Sequence, residues 1–200
     1  MKKYEEIKPI YDSIFDGVNG YFISLLEKNK RINETFFADI LYGEVSLELF
    51  YAILVLPPVD KYLNNFKIFY DIGSGIGNVV ISAYLTGVFD KCVGVEIMDS
   101  LYNISLQAKN KMRESDGVSF INANMLDVDI LDADLVLFCC PTKDENIRAQ
   151  MEKKFKTLKS NSIILSLIHI FNNKDDFELL DAKSVKVAWG ETPLFIYKKR

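Results

Sequence analysis

The apolar positions of the first 65 residues predict two helices joined by a loop. In the first pattern apolar residues recur at steps of three and four, which places them on one helical face; they are Ile7, Ile10, Tyr11, Ile14, Val18, Phe22 and Leu25. The second pattern begins near Ser46, a suitable N-cap, and ends before Pro57 and Pro58. The aromatic and polar segment 33–44 between them predicts a loop.

From Lys67 onward, buried strands alternate with helices. Five apolar runs predict strands: KIFYDI (67–72), KCVGVEI (91–97), VSFIN (118–122), ADLVLFCC (133–140) and SIILSL (162–167). Helices are predicted after the first, second and fourth of them, the last over 144–158. SVKVAW (184–189) and PLFIY (193–197), joined by a short turn at 190–192, predict an antiparallel strand pair.

This alternation predicts an α/β fold with helices on both faces of a mostly parallel sheet. We expect a Rossmann-like, seven-stranded sheet with an antiparallel C-terminal strand pair, plus N-terminal helices. Residues 1–65 would form a helical segment with a covering loop, and residues 66–200 the ligand-binding domain. Ligands bind at the carboxyl ends of parallel strands, which directs attention to 71–77, Glu96, 122–125 and 139–142.

Composition and charge limit the classes of partner that the chain is expected to bind. The chain has 200 residues, of which 49% are apolar and 26% charged, and its net charge of −4 provides no positive field for nucleic acid. The cluster Lys153, Lys154, Lys156 and Lys159 falls in the last turns of a predicted helix, where cations suit the dipole. No apolar run approaches the roughly 18 residues of a membrane span, and no signal peptide is expected.

The cysteines and the histidine indicate neither a disulfide framework nor a metal site. Cys92, Cys139 and Cys140 are odd in number and lack metal-type spacing, so we expect reduced thiols and an intracellular protein, cytoplasmic rather than nuclear. The only histidine, His169, lies in an apolar run and is expected in the core or at a strand end.

The strongest chemical signal is DIGSGIG, residues 71–77, at the end of the first strand. Glycines there let the backbone turn tightly and approach a ligand. Gly73, Gly75 and Gly77 follow the spacing G-x-G-x-G, whereas dinucleotide spacing would need a small residue where Asn78 stands. Asp71 would repel a pyrophosphate and attract a cofactor with a sulfonium and an ammonium group. The pattern therefore favours S-adenosylmethionine.

Two further polar residues follow strands at the same predicted edge. Glu96 ends the second strand, where a carboxylate can accept hydrogen bonds from both ribose hydroxyls; the alternative is a solvated strand-end charge. Asn124 follows the third strand and is placed to contact adenine, although asparagine also suits a turn.

The end of the fourth strand, Cys139, Cys140 and Pro141, is expected to face the transferred methyl group. The alternative is that both cysteines are small apolar fillers. A nucleophilic cysteine is disfavoured because no histidine lies near it in sequence.

Upstream, YGEV at residues 42–45 stands at a loop-to-helix junction. Tyr42, a flexible Gly43 and the carboxylate of Glu44 are suited to fold over a bound cofactor. The alternative is that Glu44 only complements the N-terminus of the following helix.

Together these motifs resemble a known family. YGEV followed by a helix, then FYDIGSGIGNVV, GVEI and an acidic fourth strand, is similar to the catalytic domain of the non-SET histone lysine methyltransferases, the disruptor-of-telomeric-silencing family. The resemblance covers roughly residues 35–167. Compact archaeal-type lysine methyltransferases share much of this pattern. The implied fold is that of class I methyltransferases.

The resemblance also implies roles for individual residues. Tyr42, Gly43 and Glu44 would enclose the methionine end of the cofactor, and Glu96 would bind its ribose. Its amino-acid and ribose parts would be held by the first-strand motif: Asp71, Gly73, Ser74, Gly75 and Gly77. The chain departs from the family at Cys139–Pro141, where asparagine–asparagine–phenylalanine is usual, and at Asn124, where aspartate is usual; nothing in residues 1–200 matches the family's basic nucleosome-binding extension.

The expected function is methyl transfer from S-adenosylmethionine to a protein lysine, with no stable nucleic-acid or membrane partner. The alternatives are a methyltransferase for small molecules or nucleic acid, and a cofactor-binding protein without catalysis. An apolar channel would favour the neutral amine by desolvation, and its candidate walls are Phe36, Phe37, Tyr42, Phe138, Pro141 and Trp189.

Overall fold

A seven-stranded sheet forms the centre of the computed structural model, which describes residues 1–31, 42–139, 144–171 and 175–200. The strands are β1 (Ile68–Ile72), β2 (Lys91–Glu96), β3 (Val118–Asn122), β4 (Leu135–Phe138), β5 (Ile163–Ser166), β6 (Phe177–Val187) and β7 (Gly190–Lys199). Their order is β3-β2-β1-β4-β5-β7-β6. The first five are mutually parallel, and β7 runs antiparallel to both neighbours. The predicted fold class is confirmed.

Alternate residues of the inner strands are buried on opposite faces of the sheet. Phe69 packs with α3 (Leu47–Val55) and α4 (Asn78–Leu85), whereas Tyr70 packs on the side of α6 (Glu145–Phe155). The remaining helices are α1 (Tyr4–Phe15), α2 (Gly20–Lys30) and α5 (Asp99–Asn110), with a 3₁₀ helix at Val59–Asn65. Because both faces are covered, the strands read as continuous apolar runs.

The prediction of one helix through Leu25 was wrong. A turn at Gly17, where φ is 70°, ends α1, and the side chain of Asn19 caps α2 by accepting from Phe22 N at 2.9 Å. Because the helix is interrupted, apolar residues after the break no longer lie on the same face as those before it. Ile7 is therefore buried, whereas Phe22 and Leu25, predicted on the same face, are 56% and 37% exposed.

The second predicted helix is confirmed as α3. Ser46 Oγ accepts from Leu49 N at 3.1 Å, and the helix ends at Val55, two residues before Pro57. Its Leu47 shares an apolar cluster with Ile7 of α1 and Ile81 of α4. The described N-terminal helices thus pack into one core with the sheet domain, and a boundary between residues 65 and 66 stays a prediction.

The C-terminal strand pair is also confirmed, with longer strands than predicted. β6 begins at Phe177 and pairs with β7 up to Val187 and Gly190. The turn therefore consists of residues 188–189, two positions earlier than expected, and Trp189 stands at its tip.

No helix in the described ranges is long and apolar enough to cross a membrane.

Candidate functional site

The glycine-rich turn between β1 and α4 wraps over the end of β2. Gly73, Gly75 and Gly77 all have positive φ, at 84°, 54° and 80°. The amides of Gly73 and Ser74 both donate to the carbonyl of Val95, at 2.9 and 3.0 Å. The turn is therefore fixed to β2 and exposes backbone at the carboxyl edge of the sheet.

The glycines at 73 and 77 are needed for different reasons. A Cβ at Gly73 would meet no described atom within 4 Å, so only the positive φ favours glycine there. A Cβ at Gly77 would lie 2.5 Å from the Phe120 ring and 2.9 Å from Ser105 Cβ. The described contacts give Gly77 a packing role, and its contact with a cofactor stays a prediction.

Alanine substitutions at Gly77 and Gly73 distinguish the packing requirement from the requirement for a positive φ. Gly77→Ala should lower the free energy of unfolding by about 2–4 kcal/mol, because steric overlap adds to the cost of a positive φ, about 1 kcal/mol. Gly73→Ala, which carries only the second cost, is the matched control and should lose about 1 kcal/mol. Urea unfolding measures both values. Equal losses would contradict the packing role.

Glu96 connects the end of β2 to the glycine turn. It is 7% exposed; its Oε2 accepts from Gly75 N at 2.7 Å and its Oε1 from Met98 N at 2.8 Å. Burial raises the pKa of this carboxyl, and the hydrogen bonds from the Met98 and Gly75 amides oppose that rise. Glu96 is therefore a buried carboxylate, and the solvated alternative is excluded.

Asp71 is a second buried carboxylate at this edge. It is 3% exposed, and within the described ranges no donor forms a hydrogen bond to it. Burial, and then repulsion from Glu96, raise its pKa to about 8. No described Lys or Arg forms an ion pair with either group. Two buried acids without a cation predict a cationic ligand.

The segment 42–46, which we call the strap, lies on the glycine turn. Tyr42 Oη donates to Glu44 Oε1 at 2.5 Å, and a Cβ at Gly75 would lie 2.9 Å from the Tyr42 ring. On the other side, a methyl group at Gly20 would overlap the Tyr42 hydroxyl. Burial, and then the Glu44 charge, raise the pKa of Tyr42 well above its ordinary value. The strap is thus enclosed between α2 and the glycine turn.

Asn78 holds the strap from below, and the sequence analysis missed this role. Its side-chain nitrogen donates to the carbonyl of Val45 at 2.9 Å, and it is 5% exposed. The available signal was a polar residue at the start of a helix, NVVISAYL, that is otherwise mostly apolar. From the sequence, Asn78 was expected only to break the dinucleotide spacing.

Of the candidate apolar walls, Trp189 contacts the strap and Phe138 does not line the site. A methyl group at Gly43 would overlap the Trp189 ring. Phe138 is fully buried and packs against Phe155 at 5.6 Å, because its side chain points to the opposite face of the sheet. Its predicted role as a wall was wrong. Phe36 and Phe37 lie outside the described residues.

A small cavity of about 20 Å³ lies where these elements meet. Most of the predicted site residues line it, together with some not predicted: Tyr42, Gly43, Glu44, Val45, Asp71, Gly73, Ser74, Gly75, Asn78, Val79, Leu137 and Cys139. Cys140 and Pro141 lie outside the described residues.

The predicted site residues Gly77, Glu96 and Asn124 are not among the residues that line this cavity, and neither is His169. Asn124 Oδ1 accepts from Leu126 N at 3.0 Å, which is the turn geometry weighed as the alternative. The exposed ring of His169 packs edge-on against Phe195, with 5.3 Å between ring centroids. In the parts of the chain that are described, no three His, Cys, Asp or Glu residues are grouped to hold a metal ion.

With this geometry established, comparison with known proteins assigns the family. The sequence profile described as "Histone methylation protein DOT1" matches residues 21–189, which include all but the first residue of α2, the strap and strands β1 to β6. The chain belongs to the DOT1 family. The resemblance inferred from YGEV and the glycine motif is confirmed.

Two curated relatives of this DOT1-family chain have lysine methyltransferase names. A protein-lysine N-methyltransferase of Saccharolobus islandicus is 32% identical over 90 residues, 44% of this chain and 56% of that protein. A histone-lysine N-methyltransferase, H3 lysine-79 specific, of Kluyveromyces lactis is 31% identical over 147 residues, 66% of this chain and 25% of that protein. The matches thus span about half of one relative and a quarter of the other.

Solved structures show the class I methyltransferase fold. An RNA methyltransferase from Salinibacter ruber in complex with S-adenosyl-L-homocysteine has a TM-score of 0.58 at 19% identity, covering 78% of this chain and 93% of that one. Magnesium protoporphyrin IX methyltransferase from Synechocystis with bound SAM has a TM-score of 0.59 at 11% identity, covering 92% and 99%. At these identities the likeness establishes the fold alone.

Proposed function

We propose that this DOT1-family protein is an S-adenosylmethionine-dependent methyltransferase that modifies the amine of a protein lysine. The observation that carries the proposal is the pair of buried carboxylates, Asp71 and Glu96, which no described cation neutralises. The family assignment and the names of the two curated relatives support lysine as the acceptor.

The residues present fit this cofactor. S-adenosylmethionine carries a sulfonium and an ammonium group; a bound cation favours the ionised form of Asp71, whose charge then attracts both groups. Ser74 Oγ is buried and has no hydrogen-bond partner among the described residues, which is rare unless a ligand or water completes the site. Because no described atom lies within 4 Å of a Cβ placed at Gly73, a ligand can approach the backbone there. When bound, the cofactor supplies an activated methyl group.

Glu96 would bind the ribose. Its two oxygens already accept two backbone N–H groups, but an ionised carboxylate has about four acceptor positions and can take two hydroxyls as well. Asn124 stays the proposed adenine contact; because Leu126 N occupies its Oδ1, the contact would use its side-chain nitrogen.

The strap must shift for a cofactor to enter. The cavity of about 20 Å³ is far smaller than the roughly 300–1,000 Å³ of small-molecule sites. Tyr42 lies directly on Gly75, so displacement of its ring would open space at the glycine turn. Glu44 would move with it and cover the methionine end.

The acceptor side of the site would select a neutral amine. A lysine ammonium has a pKa near 10.4, so its deprotonation at pH 7 costs about 4–5 kcal/mol. The apolar lining, Val79 and Leu137, and the neighbouring Trp189 disfavour the charged form by desolvation. Tyr42, Cys139, Cys140 and Pro141 are the proposed channel residues; with the amine held in line, positioning supplies most of the rate.

The proposal includes an intracellular protein, cytoplasmic rather than nuclear, whose partner is its protein substrate. Net charge −4 disfavours stable binding to nucleic acid.

Radiolabelled S-adenosylmethionine tests the proposal. The protein is incubated separately with a cell protein extract, total RNA and a small-molecule fraction, and labelled protein is hydrolysed to identify the methylated residue. We expect methyllysine, and no label with Glu96→Gln. Label in RNA or in a small molecule instead would overturn the acceptor assignment. Cofactor binding without transfer to any fraction would overturn the activity.

Glu44→Gln tests the charge at the methionine end. The variant keeps the size of the side chain, so it should bind S-adenosylmethionine about five times more weakly while S-adenosylhomocysteine, which lacks the sulfonium charge, changes less. Calorimetry with both ligands gives the ratio. Glu48→Gln, in the exposed first turn of α3, is the control for a helix-dipole effect. Equal weakening of both ligands, or of neither, would contradict the electrostatic role.

A further inference from the structure

Glu27 in α2 is a buried carboxylate outside the site described above. It is 7% exposed, and its Oε1 and Oε2 accept from Asp99 N at 3.1 Å and Ser100 N at 2.8 Å. The hydroxyl of Ser100 donates to the same Oε2. The guanidinium of Arg31, the C-cap residue of α2, lies 3.6 Å from Oε1. Glu27 therefore binds three donors more than 70 residues away in sequence.

These donors belong to the first turn of α5, which lacks a cap of its own. The N-cap position is Met98, whose side chain makes no capping hydrogen bond. The first amides of a helix need an acceptor, and a negative charge at that end is favourable. Glu27 supplies both from a different helix, so α2 determines how the first turn of α5 is held.

The same turn holds Glu96. The amide of Met98 donates to Glu96 Oε1 at 2.8 Å, and the next two amides along the chain donate to Glu27. One short stretch of backbone, 98–100, is thus bound by two carboxylates, Glu96 and Glu27. A shift of this stretch displaces the donor that orients Glu96.

We infer that Glu27 is a positioning residue for the ribose carboxylate Glu96 and acts through the backbone of residues 98–100. The inference depends on the proposed function, since it takes Glu96 as the ribose ligand. α2 then reaches two sides of the site, because Gly20 at its start contacts Tyr42 and Glu27 in its third turn fixes the Glu96 side.

Two effects of Glu27 oppose each other, so the sign of the result is informative. Its hydrogen bonds hold the turn in place, whereas its negative charge lies near that of Glu96 and raises the pKa of that carboxyl, after the larger effect of burial. If positioning dominates, removal of the Glu27 charge weakens cofactor binding. If repulsion dominates, the same change strengthens it.

Calorimetry with S-adenosylhomocysteine tests this on the full chain. Glu27→Gln should weaken binding about fivefold in the wild-type background and clearly less when Glu96 is already Ala, because coupled residues are not additive. Lys111→Met is the matched control. Lys111 Nζ donates to the carbonyl of Ile14 at 2.7 Å and so joins an N-terminal helix to the far end of α5. It should lower the melting temperature without changing affinity.

Each outcome decides the inference. Unchanged or tighter binding by Glu27→Gln, full additivity with Glu96→Ala, or equal weakening by Lys111→Met would overturn it. If Glu27→Gln does not fold, Ser100→Ala removes one of the three donors and should weaken binding about twofold with the same dependence on Glu96. Failure of the wild-type protein to bind S-adenosylhomocysteine would instead refute the proposed function.

Discussion

Asp71→Asn is expected to weaken S-adenosylmethionine binding about 10- to 100-fold and, above pH 8, to stabilise the protein. The loss of affinity follows because hydrogen bonds to charged groups contribute about 1.5–3 kcal/mol, and Asp71 is the buried acid without a hydrogen-bond partner among the described residues. Asparagine keeps the shape of the side chain and removes the charge.

The gain in stability follows from the titration of Asp71. Its pKa is about 8 in the folded protein, against an ordinary value of 3.8, so the folded state binds the proton more tightly. The stabilisation is fully present below about pH 3.8 and is lost as pH rises to 8. Asparagine does not titrate. The melting temperature of Asp71→Asn should therefore exceed that of the wild type by a margin that grows from pH 5 to pH 8.

Thermal melts from pH 5 to pH 9 and calorimetry at pH 8 measure the two effects. Above pH 8 we expect a difference of about 2 kcal/mol or more, roughly 5 °C for a chain of this size. Asp116→Asn, at an exposed position, is the control and should change neither quantity. If the difference in melting temperature between Asp71→Asn and the wild type does not vary with pH, Asp71 is ionised in the folded protein.

Glu96→Gln should weaken cofactor binding by about 2–4 kcal/mol, because charge-assisted hydrogen bonds to the ribose are lost. It should also destabilise the protein itself. Both carboxylate oxygens accept backbone N–H groups, from Gly75 and from Met98, and a glutamine must direct its NH₂ group at one of them. An unsatisfied buried donor costs about 1–3 kcal/mol.

Calorimetry and urea unfolding measure these losses, with Glu114→Gln at an exposed position as control. A stability loss without any loss of affinity would assign Glu96 to the fold alone and place the ribose elsewhere. A loss of cofactor affinity without a loss of stability would show that one of the two hydrogen bonds from backbone N–H groups to Glu96 is dispensable.

The centre of the sheet could be predicted from sequence because strands β1, β2, β4 and β5 are buried on both faces. In β1, Phe69 and Tyr70 point to opposite faces, and an apolar core covers each of them. The first helical pattern could not be resolved in the same way. Apolar spacing continues from Ile14 through Val18 to Phe22, so the break made by Gly17 and the Asn19 cap is invisible to periodicity.

The residues of the site also fall into those that the sequence could predict and those that it could not. The glycine turn and its two acids follow local rules, since each stands directly at a strand end. The contacts that hold the strap depend on tertiary placement: Asn78 with Val45, and Gly20 with Tyr42. No local pattern distinguishes such residues from ordinary helix positions.

Because Trp189 contacts Gly43, tryptophan fluorescence can report on movement of the strap. The chain contains one tryptophan, and its ring is about half exposed (47%) where the β6–β7 turn meets the strap. Tryptophan emission shifts to longer wavelength as the indole becomes more exposed to water. All indole emission from this protein therefore originates beside Gly43, so a stopped-flow fluorescence trace can time the opening of the strap without any introduced label.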